Sequence, residues 1–287
     1  MVCTHSHERP VSFGRVADFL HWLCYREEGK MAQTIFMIHG MFGGPWYWEN
    51  YQKKFEAEGY RCIVPTLLYH NMNPCGVPHS DLGRTSLLDY AEQLEHEISQ
   101  LDEPPVVMGH SMGGLLAQML GARKRAKALV LLSPASPAGI MALTPSVVKS
   151  FWSIQTKWGF WNNPFRLKFN EVVYSILHLM TEKEQWEIYN KLVYESGRAA
   201  AEIGYWPFDP SRASSVDESR VTCPVLVIAG SQDRITPASV ARKIAKKYKA
   251  VSTYKEFKNH AHWVVGEPGW QEVAEYVSSW LREQEKS

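Results

Sequence analysis

The segment Gly109-His-Ser-Met-Gly113 carries the pattern G-x-S-x-G. In a sharp strand-to-helix turn, this pattern lifts a serine hydroxyl clear of the backbone as a nucleophile. An apolar run at 105–108 leads in and an apolar helix-period stretch at 115–120 leads out. The flanking glycines lack a Cβ and leave room for the strained turn. A hydroxyl is a weak nucleophile and needs a base. Two candidates lie beyond the last apolar run, in Asn259-His-Ala-His-Trp-Val-Val-Gly-Glu-Pro268. His262 is preferred, because the residues after it lead into the final helix. His260 is then structural or lines the site. His39 and His110 adjoin turns and read as makers of local hydrogen bonds.

The base needs an acceptor that holds its tautomer. Asp233, in Gly230-Ser-Gln-Asp-Arg-Ile-Thr-Pro237, follows the apolar run 225–229. The competing carboxylates Asp209, Asp217 and Glu267 do not follow a strand's carboxyl end, where open α/β sheets place their sites. The chain order Ser111, Asp233, His262 is the order such a nucleophile elbow uses. Acyl transfer also needs donors for a developing oxyanion. The glycine-rich His39-Gly-Met-Phe-Gly-Gly44 follows the first regular run. The backbone N–H groups of Met41 and Met112 are the expected pair, with Phe42 as the alternative to Met41. The loop has neither G-x-G-x-x-G nor a P-loop pattern, which argues against a nucleotide.

Elements that could hold these residues recur along the chain. Short apolar runs at 34–38, 61–64, 105–108, 128–132, 225–229 and 251–257 read as strands of a buried, mostly parallel sheet. Helix-period segments separate them. Ser86 and Asp89 have capping-box spacing ahead of Tyr90, Leu94 and Ile98. Pro237 suits a first helical position ahead of Val240, Ile244 and Tyr248. A last helix from about Trp270 puts Val273, Tyr276, Val277 and Trp280 on one face. Between about 134 and 217 the pattern reads as helices without strands: 145–154, 170–180, one opened by the capping box Thr181/Glu184, and 196–203.

With these motifs in this order, the chain resembles the α/β-hydrolase superfamily, in its capped esterase, lipase and lysophospholipase-like branch. The resemblance covers about residues 34–281. It rests on His39-Gly40, Gly-His-Ser-Met-Gly, Gly-Ser-Gln-Asp and His-Trp-Val-Val-Gly-Glu-Pro. It implies an α/β fold with a mostly parallel sheet of about six strands. A helical cap, about 135–217, follows the strand near 128–132, inside a domain spanning 31–286. Families of this kind usually open with a strand hairpin before the His-Gly strand, and residues 1–30 offer none. The implied activity is hydrolysis of a neutral, moderately hydrophobic carboxylic ester by a Ser111–Asp233–His262 triad, with no cofactor or metal. Carbon–carbon, thioester or amide hydrolysis, or perhydrolysis, could use the same residues, and a non-enzymatic ligand receptor could share the scaffold. An aspartate nucleophile, as in haloalkane dehalogenases and epoxide hydrolases, is disfavoured by Ser111. Phe42, Trp46, Trp152 and Trp206 are the expected substrate-lining residues, within an aromatic stock that includes Phe151, Trp158, Phe160, Trp161 and Tyr174.

Composition sets the remaining bounds. The 287 residues suffice for one α/β domain with an insertion. Apolar residues make up 45% and charged residues 21%, the balance of an ordinary globular chain. Lys+Arg is 31 against 30 for Asp+Glu, which leaves no electrostatic footprint for nucleic acid. No apolar run reaches the roughly 20 residues of a membrane span. The five cysteines are widely spaced without C-x-x-C and read as reduced thiols of a cytoplasmic protein. Residues 1–30 read as an extension, native or not, with Met31 as a possible natural start. Their His5-x-His7 has no third ligand nearby and reads as a solvated tail. The expected partner is a small-molecule ester, and the oligomeric state is not readable.

Overall fold

The computed structural model describes residues 33–142 and 144–286. The extension at 1–30, with His5-x-His7, lies outside the described residues. Strand β1 (Thr34–Ile38) leads through a 3-10 turn at Pro45–Trp48 into α1 (Glu49–Ala57) and β2 (Arg61–Ile63). Then come α2 (Leu87–Ser99), β3 (Val106–His110), α3 (Met112–Ala122) and β4 (Ala128–Leu132). The chain next leaves the sheet for a helical excursion. It forms α4 (Pro145–Ser150), α5 (Trp152–Gln155), β5 (Pro164–Phe165), α6 (Phe169–Val172), α7 (Glu182–Lys191), β6 (Glu195–Ser196) and α8 (Gly197–Gly204). It returns as β7 (Val225–Gly230), α9 (Ala238–Lys247), β8 (Ser252–Phe257) and α10 (Trp270–Gln284).

The main sheet has six strands in the order β2-β1-β3-β4-β7-β8. Every neighbouring pair is parallel. Alternate residues of each strand enter opposite apolar layers, as the two-residue period requires. Ile35, Met37, Val106 and Met108 pack with Tyr51 and Phe55 of α1 and Val273 and Val277 of α10. Phe36, Ile38, Val107 and Leu129 pack with Leu94 of α2, Leu116 of α3 and Ile244 of α9. The chain moves outward from β1 to β2, then back past β1 to β3. That reversal puts a crevice at the carboxyl ends of β1 and β3, the place where such sheets bind ligands.

Local chemistry sets several boundaries. The Ser86 amide donates to the Asp89 carboxylate at 2.8 Å, which opens α2. Thr181 and Glu184 bond reciprocally at 2.9 and 3.4 Å to open α7. β3 runs on to His110, past the apolar stretch 105–108, because Gly109 and His110 pair with Leu131 and Leu132. That extension carries Ser111 to the strand tip. Other expectations are corrected. Pro237 is the N-cap of α9, with ψ at 146°, and the helix starts at Ala238. The single helix expected at 145–154 breaks at Phe151, which leaves helical geometry at φ −116° and ψ 20°. The helix expected at 170–180 is α6 followed by a π-turn at Val173–Leu177. The excursion also contains strands: β5 and β6 pair antiparallel. Two-residue strands carry no readable alternation, so pattern reading passes over them. Among the described residues, no helix is long and apolar enough to cross a membrane.

Candidate active site

Ser111 sits between β3 and α3 with φ 55° and ψ −119°. A side-chain-bearing residue is costly there, by about 1–3 kcal/mol. The surroundings over-determine it. Its amide donates to Leu132 O at 3.0 Å, and its carbonyl accepts from Gly114 N at 2.9 Å and Ala135 N at 2.8 Å. The glycines are obligatory for close approach: a Cβ on Gly109 would lie 2.1 Å from Gly113 O, and one on Gly113 would lie 2.2 Å from Ile38 O. The turn leaves Ser111 9% exposed, at the amino end of α3.

The structure brings the three polar candidates together. Ser111 Oγ lies 3.0 Å from His262 Nε2 and can donate to it. His262 Nδ1–H donates to Asp233 Oδ2 at 2.8 Å. Asp233 is buried in the loop after β7, where its Oδ1 accepts the Ile235 and Thr236 amides at 2.8 Å each. Thr236 Oγ1–H adds a bond to Asp233 Oδ2 at 2.8 Å. Burial alone would raise the Asp233 carboxyl; His262 and the Thr236 bonds outweigh it and hold the group at about 2. The carboxylate therefore stays charged, which fixes the proton of neutral His262 on Nδ1 and leaves Nε2 free to accept. This arrangement can take a proton from a hydroxyl as that hydroxyl attacks a carbonyl.

The neighbouring histidines have other tasks. His260 bonds Glu267 at 3.0 Å, and Glu267 also accepts the Ala261 amide at 2.8 Å. That pair braces the loop carrying His262. His110 Nε2–H donates to the His262 carbonyl at 2.8 Å. Burial first, and the neighbouring His262 second, lower His110 to about 3, so it is neutral. His39 Nδ1–H donates to Gly40 O at 2.8 Å. The competing acids are engaged elsewhere. Asp209 accepts from Ser211 and Ala213, and Asp217 caps the 3-10 turn at Glu218–Arg220.

Met41 and Met112 both line the cavity at Ser111, and among the described residues neither amide has an acceptor. The alternative donor is spent: the Phe42 amide donates to Glu195 Oε2 at 3.2 Å. The cavity has a sheet side and an excursion side. Phe42, Tyr47, Ile235 and Trp263 line the first, and Phe151, Ile154, Phe160, Ile176, Ile203 and Trp206 the second. Among the described residues, no Lys, Arg, Asp or Glu lines it. Two expected lining residues are elsewhere. Trp152 is 60% exposed and borders a separate surface depression with Thr144 and Lys149, because the break at Phe151 turns that ring to the cavity in its place. Trp46 packs against Tyr47 and Trp263, so it supports the wall without forming it. Within the aromatic stock, Trp158 is fully exposed, and Tyr174 is stacked with Lys149 and Arg234.

The model of the Alpha/beta hydrolase family matches residues 35–276. The chain belongs to the alpha/beta hydrolase family. Methylesterase 8 of Arabidopsis thaliana is 30% identical over 112 residues, 38% of this chain and 39% of that protein. That match spans under half of the relative's length. The 2-hydroxy-6-oxononadienedioate/2-hydroxy-6-oxononatrienedioate hydrolase 2 of Pseudomonas putida is 25% identical over 259 residues, 84% of this chain and 85% of that one. A crystal structure of a methylesterase, MES16 from Arabidopsis, matches with a TM-score of 0.66 at 12% identity. It covers 88% of this chain and 99% of that one, a likeness of fold.

This alpha/beta hydrolase also uses residues that motif reading passes over. Thr236, one residue before Pro237, fastens Asp233 through its amide, and its single hydroxyl proton lies between Asp233 Oδ2 at 2.8 Å and Ser133 O at 3.0 Å. Its position inside the Asp233 motif was the available signal. Glu195 and His70 form a buried pair at 3.1 Å behind the Met41 loop. They are 125 residues apart, and nothing in the spacing connects them.

Proposed function

We propose that this chain is a serine hydrolase that cleaves a neutral, moderately hydrophobic carboxylic ester through an acyl-enzyme. The observation that carries the reading is the hydrogen-bonded series Asp233–His262–Ser111 opening into an apolar cavity. His262 takes the Ser111 proton as Oγ attacks the ester carbonyl. The negative oxygen of the tetrahedral intermediate accepts from the Met41 and Met112 amides. Those donors are worth most in such a water-poor setting. The C–O bond then breaks, and His262 gives its proton to the departing alkoxide. A water, deprotonated by the same His262, attacks the acyl carbon, and Ser111 recovers its proton as the acid leaves. The excursion 133–224 serves as a cap whose apolar side chains receive the substrate.

The likeness to the Pseudomonas putida hydrolase raises a second reading, hydrolysis of an oxo-dioate. A dioate carries two carboxylates. Burying them unpaired is costly, and among the described residues no Lys or Arg lines this cavity. The ester reading therefore has the better match to the walls. A panel of p-nitrophenyl esters, a thioester, an anilide and an oxo-dioate tests it. The esters should give the highest kcat/KM, with repeated turnover. A higher kcat/KM for the oxo-dioate would favour the second reading. Tight retention of one ligand after a single turnover would favour a receptor.

A further inference from the structure

Glu195 lies in the excursion, yet its carboxylate is fully buried behind the loop that follows β1. It accepts four donors. Oε2 takes the Phe42 amide at 3.2 Å and His70 Nε2 at 3.1 Å. Oε1 takes the Tyr90 hydroxyl at 2.9 Å and the Ser196 amide at 2.7 Å. His70 Nδ1 faces the Leu68 carbonyl at 3.0 Å. Both of its ring nitrogens thus meet acceptors, which only the doubly protonated imidazolium satisfies. His39, with its ring centroid 5.2 Å away, is the opposite case. Its Nδ1 donates to Gly40 O while its Nε2 accepts from the Leu67 amide at 3.3 Å, so it is neutral.

The loop held by this charge is strained. Phe42 has φ 63°, in the left-handed region. A bulky residue persists there only when its surroundings enforce it. Two groups from the excursion do so: Glu195 on the Phe42 amide, and the Val193 amide on the Phe42 carbonyl at 2.9 Å. Tyr47 Oη–H meanwhile donates to the Met41 carbonyl at 2.8 Å. The Met41–Phe42 peptide plane is therefore pinned at both ends. The preceding plane is pinned by its Gly40 carbonyl. Among the described residues the Met41 N–H has no acceptor, in a loop that lines the same cavity as Ser111.

We infer that Glu195 is a positioning residue: by clamping the left-handed Phe42 it fixes the direction of the Met41 amide toward the oxyanion. The inference rests on the acyl-transfer reading above. It makes the excursion part of the chemistry as well as a wall of the cavity. Without the clamp, Phe42 relaxes toward negative φ and the Met41–Phe42 plane turns; the Gly40–Met41 plane, then held through the His39–Gly40 bond without that neighbour, carries the Met41 N–H out of line. Substrate still binds, because the apolar walls other than Phe42 keep their places, but the tetrahedral state loses a donor.

The test uses Glu195→Gln and Glu195→Asp, each alone and combined with Phe42→Gly. Glutamine offers one oxygen to the four donors, and aspartate keeps the charge but withdraws it from Phe42. The two changes thus act by different routes if one variant folds poorly. The readouts are kcat and KM on p-nitrophenyl butyrate, affinity for an aryl trifluoromethyl ketone that forms a tetrahedral adduct with serine, and affinity for the matching methyl ketone. Losing an oxyanion donor outright costs roughly 10²–10³-fold. A misdirected donor should lower kcat by about 10-fold or more, with KM changed by less than about 2-fold. Trifluoromethyl ketone affinity should fall by the same factor as kcat/KM, and methyl ketone affinity should hold. Glycine adopts positive φ without a clamp, so in the Phe42→Gly background the Glu195 changes should cost much less. Unchanged kcat and adduct affinity in a folded Glu195 variant would overturn the inference, as would equal losses in both backgrounds. Neither result would touch the ester reading if the wild type still forms the adduct at Ser111. A wild type that forms no adduct would overturn both.

Discussion

The strand tips and the helical excursion face each other across one cavity, and they are built differently. On the sheet side, Ser111 and Asp233 follow directly from β3 and β7, and His262 sits in a loop braced by the buried His260–Glu267 pair. The Ser111 backbone is tied by bonds of 2.8–3.0 Å, the Asp233 amide donates to Gly230 O at 3.2 Å, and the Asp233 carboxylate accepts the Ile235 and Thr236 amides at 2.8 Å. On the excursion side, the helices are short, one breaks at Phe151, and another runs into a π-turn at Val173–Leu177. Trp158 and Phe208 there are 93% and 84% exposed. Chemistry demands placement within a fraction of an ångström, and paired strands supply it. Walls for an apolar substrate need size and polarity, which irregular helices provide. Glu195 is where the division fails, because a residue of the irregular side clamps the loop of the regular one.

Mutations can break this contrast. The largest effect should come from the sheet side. His262→Ala should reduce kcat on an activated ester by about 10⁴-fold or more, because nucleophile and base act as one unit. His260→Ala should cost far less in kcat while lowering the melting temperature. Steady-state kinetics with melting curves checks both, and reversed ranks would mean that His260 is the base. Asp233→Asn should cost about 10³–10⁴-fold in kcat, since the amide favours the wrong imidazole tautomer and cannot stabilise the imidazolium. A loss below 10-fold would remove Asp233 from the proposed unit.

Changes on the excursion side should move specificity with smaller effects on rate. Phe160→Ala enlarges the cavity wall. It should shift the ester chain-length optimum upward and lower kcat/KM for short esters by about 10-fold, within the roughly 1–3 kcal/mol that a pocket contact supplies. A chain-length series with C2 to C12 p-nitrophenyl esters reads this directly. Trp152→Ala should leave the whole series within about 2-fold, because that ring lies outside the cavity.

The clamp between the two sides should show in stability. Burial opposes both charges, and their pairing outweighs it: His70 is held above its ordinary 6.5 and Glu195 below its ordinary 4.5. Tyr90, which donates to Glu195, Tyr47, whose hydroxyl the Glu195 charge helps keep protonated, and neutral His39 are the other titratable groups near the pair among the described residues. The Glu195 share is present above about pH 4.5 and lost as pH falls through its lowered value. The His70 share is full below about pH 6.5 and lost as pH rises through its raised value. The stability gap between wild type and Glu195→Gln, about 1–3 kcal/mol, should therefore be widest between those values and shrink on either side. Urea unfolding at a series of pH values measures it, and a flat gap would contradict the ion pair.

The same contrast governs what could be read from the chain. Strands buried on both faces are continuous apolar runs, so 34–38 and 128–132 were readable to the residue. The elbow glycines and the residues around Asp233 and His262 are local, so the turn and the hydrogen-bonded placement of Ser111, His262 and Asp233 were legible in short motifs. The excursion was legible only in part: α7 and α8 showed in their caps and spacing, whereas α5, β5, α6 and β6 have two to four residues, too few to display a pattern. Trp152 and Trp46 were expected in the cavity because aromatic type says nothing of direction; a one-residue break at Phe151 decides which ring turns inward. Glu195, His70 and Tyr90 were invisible for another reason. A buried ion pair is a tertiary contact, and neither residue type nor spacing signals it.

In the proposed reaction Ser111 is a nucleophile activated by His262. Intact-mass spectrometry after incubation with a fluorophosphonate, followed by peptide mapping, tests it most directly. Wild type should gain one adduct, located on Ser111, and the rate of labelling should collapse in Ser111→Ala and His262→Ala, both still folded by circular dichroism. An adduct on another residue, or no adduct on a folded wild type that still turns over ester, would contradict the account.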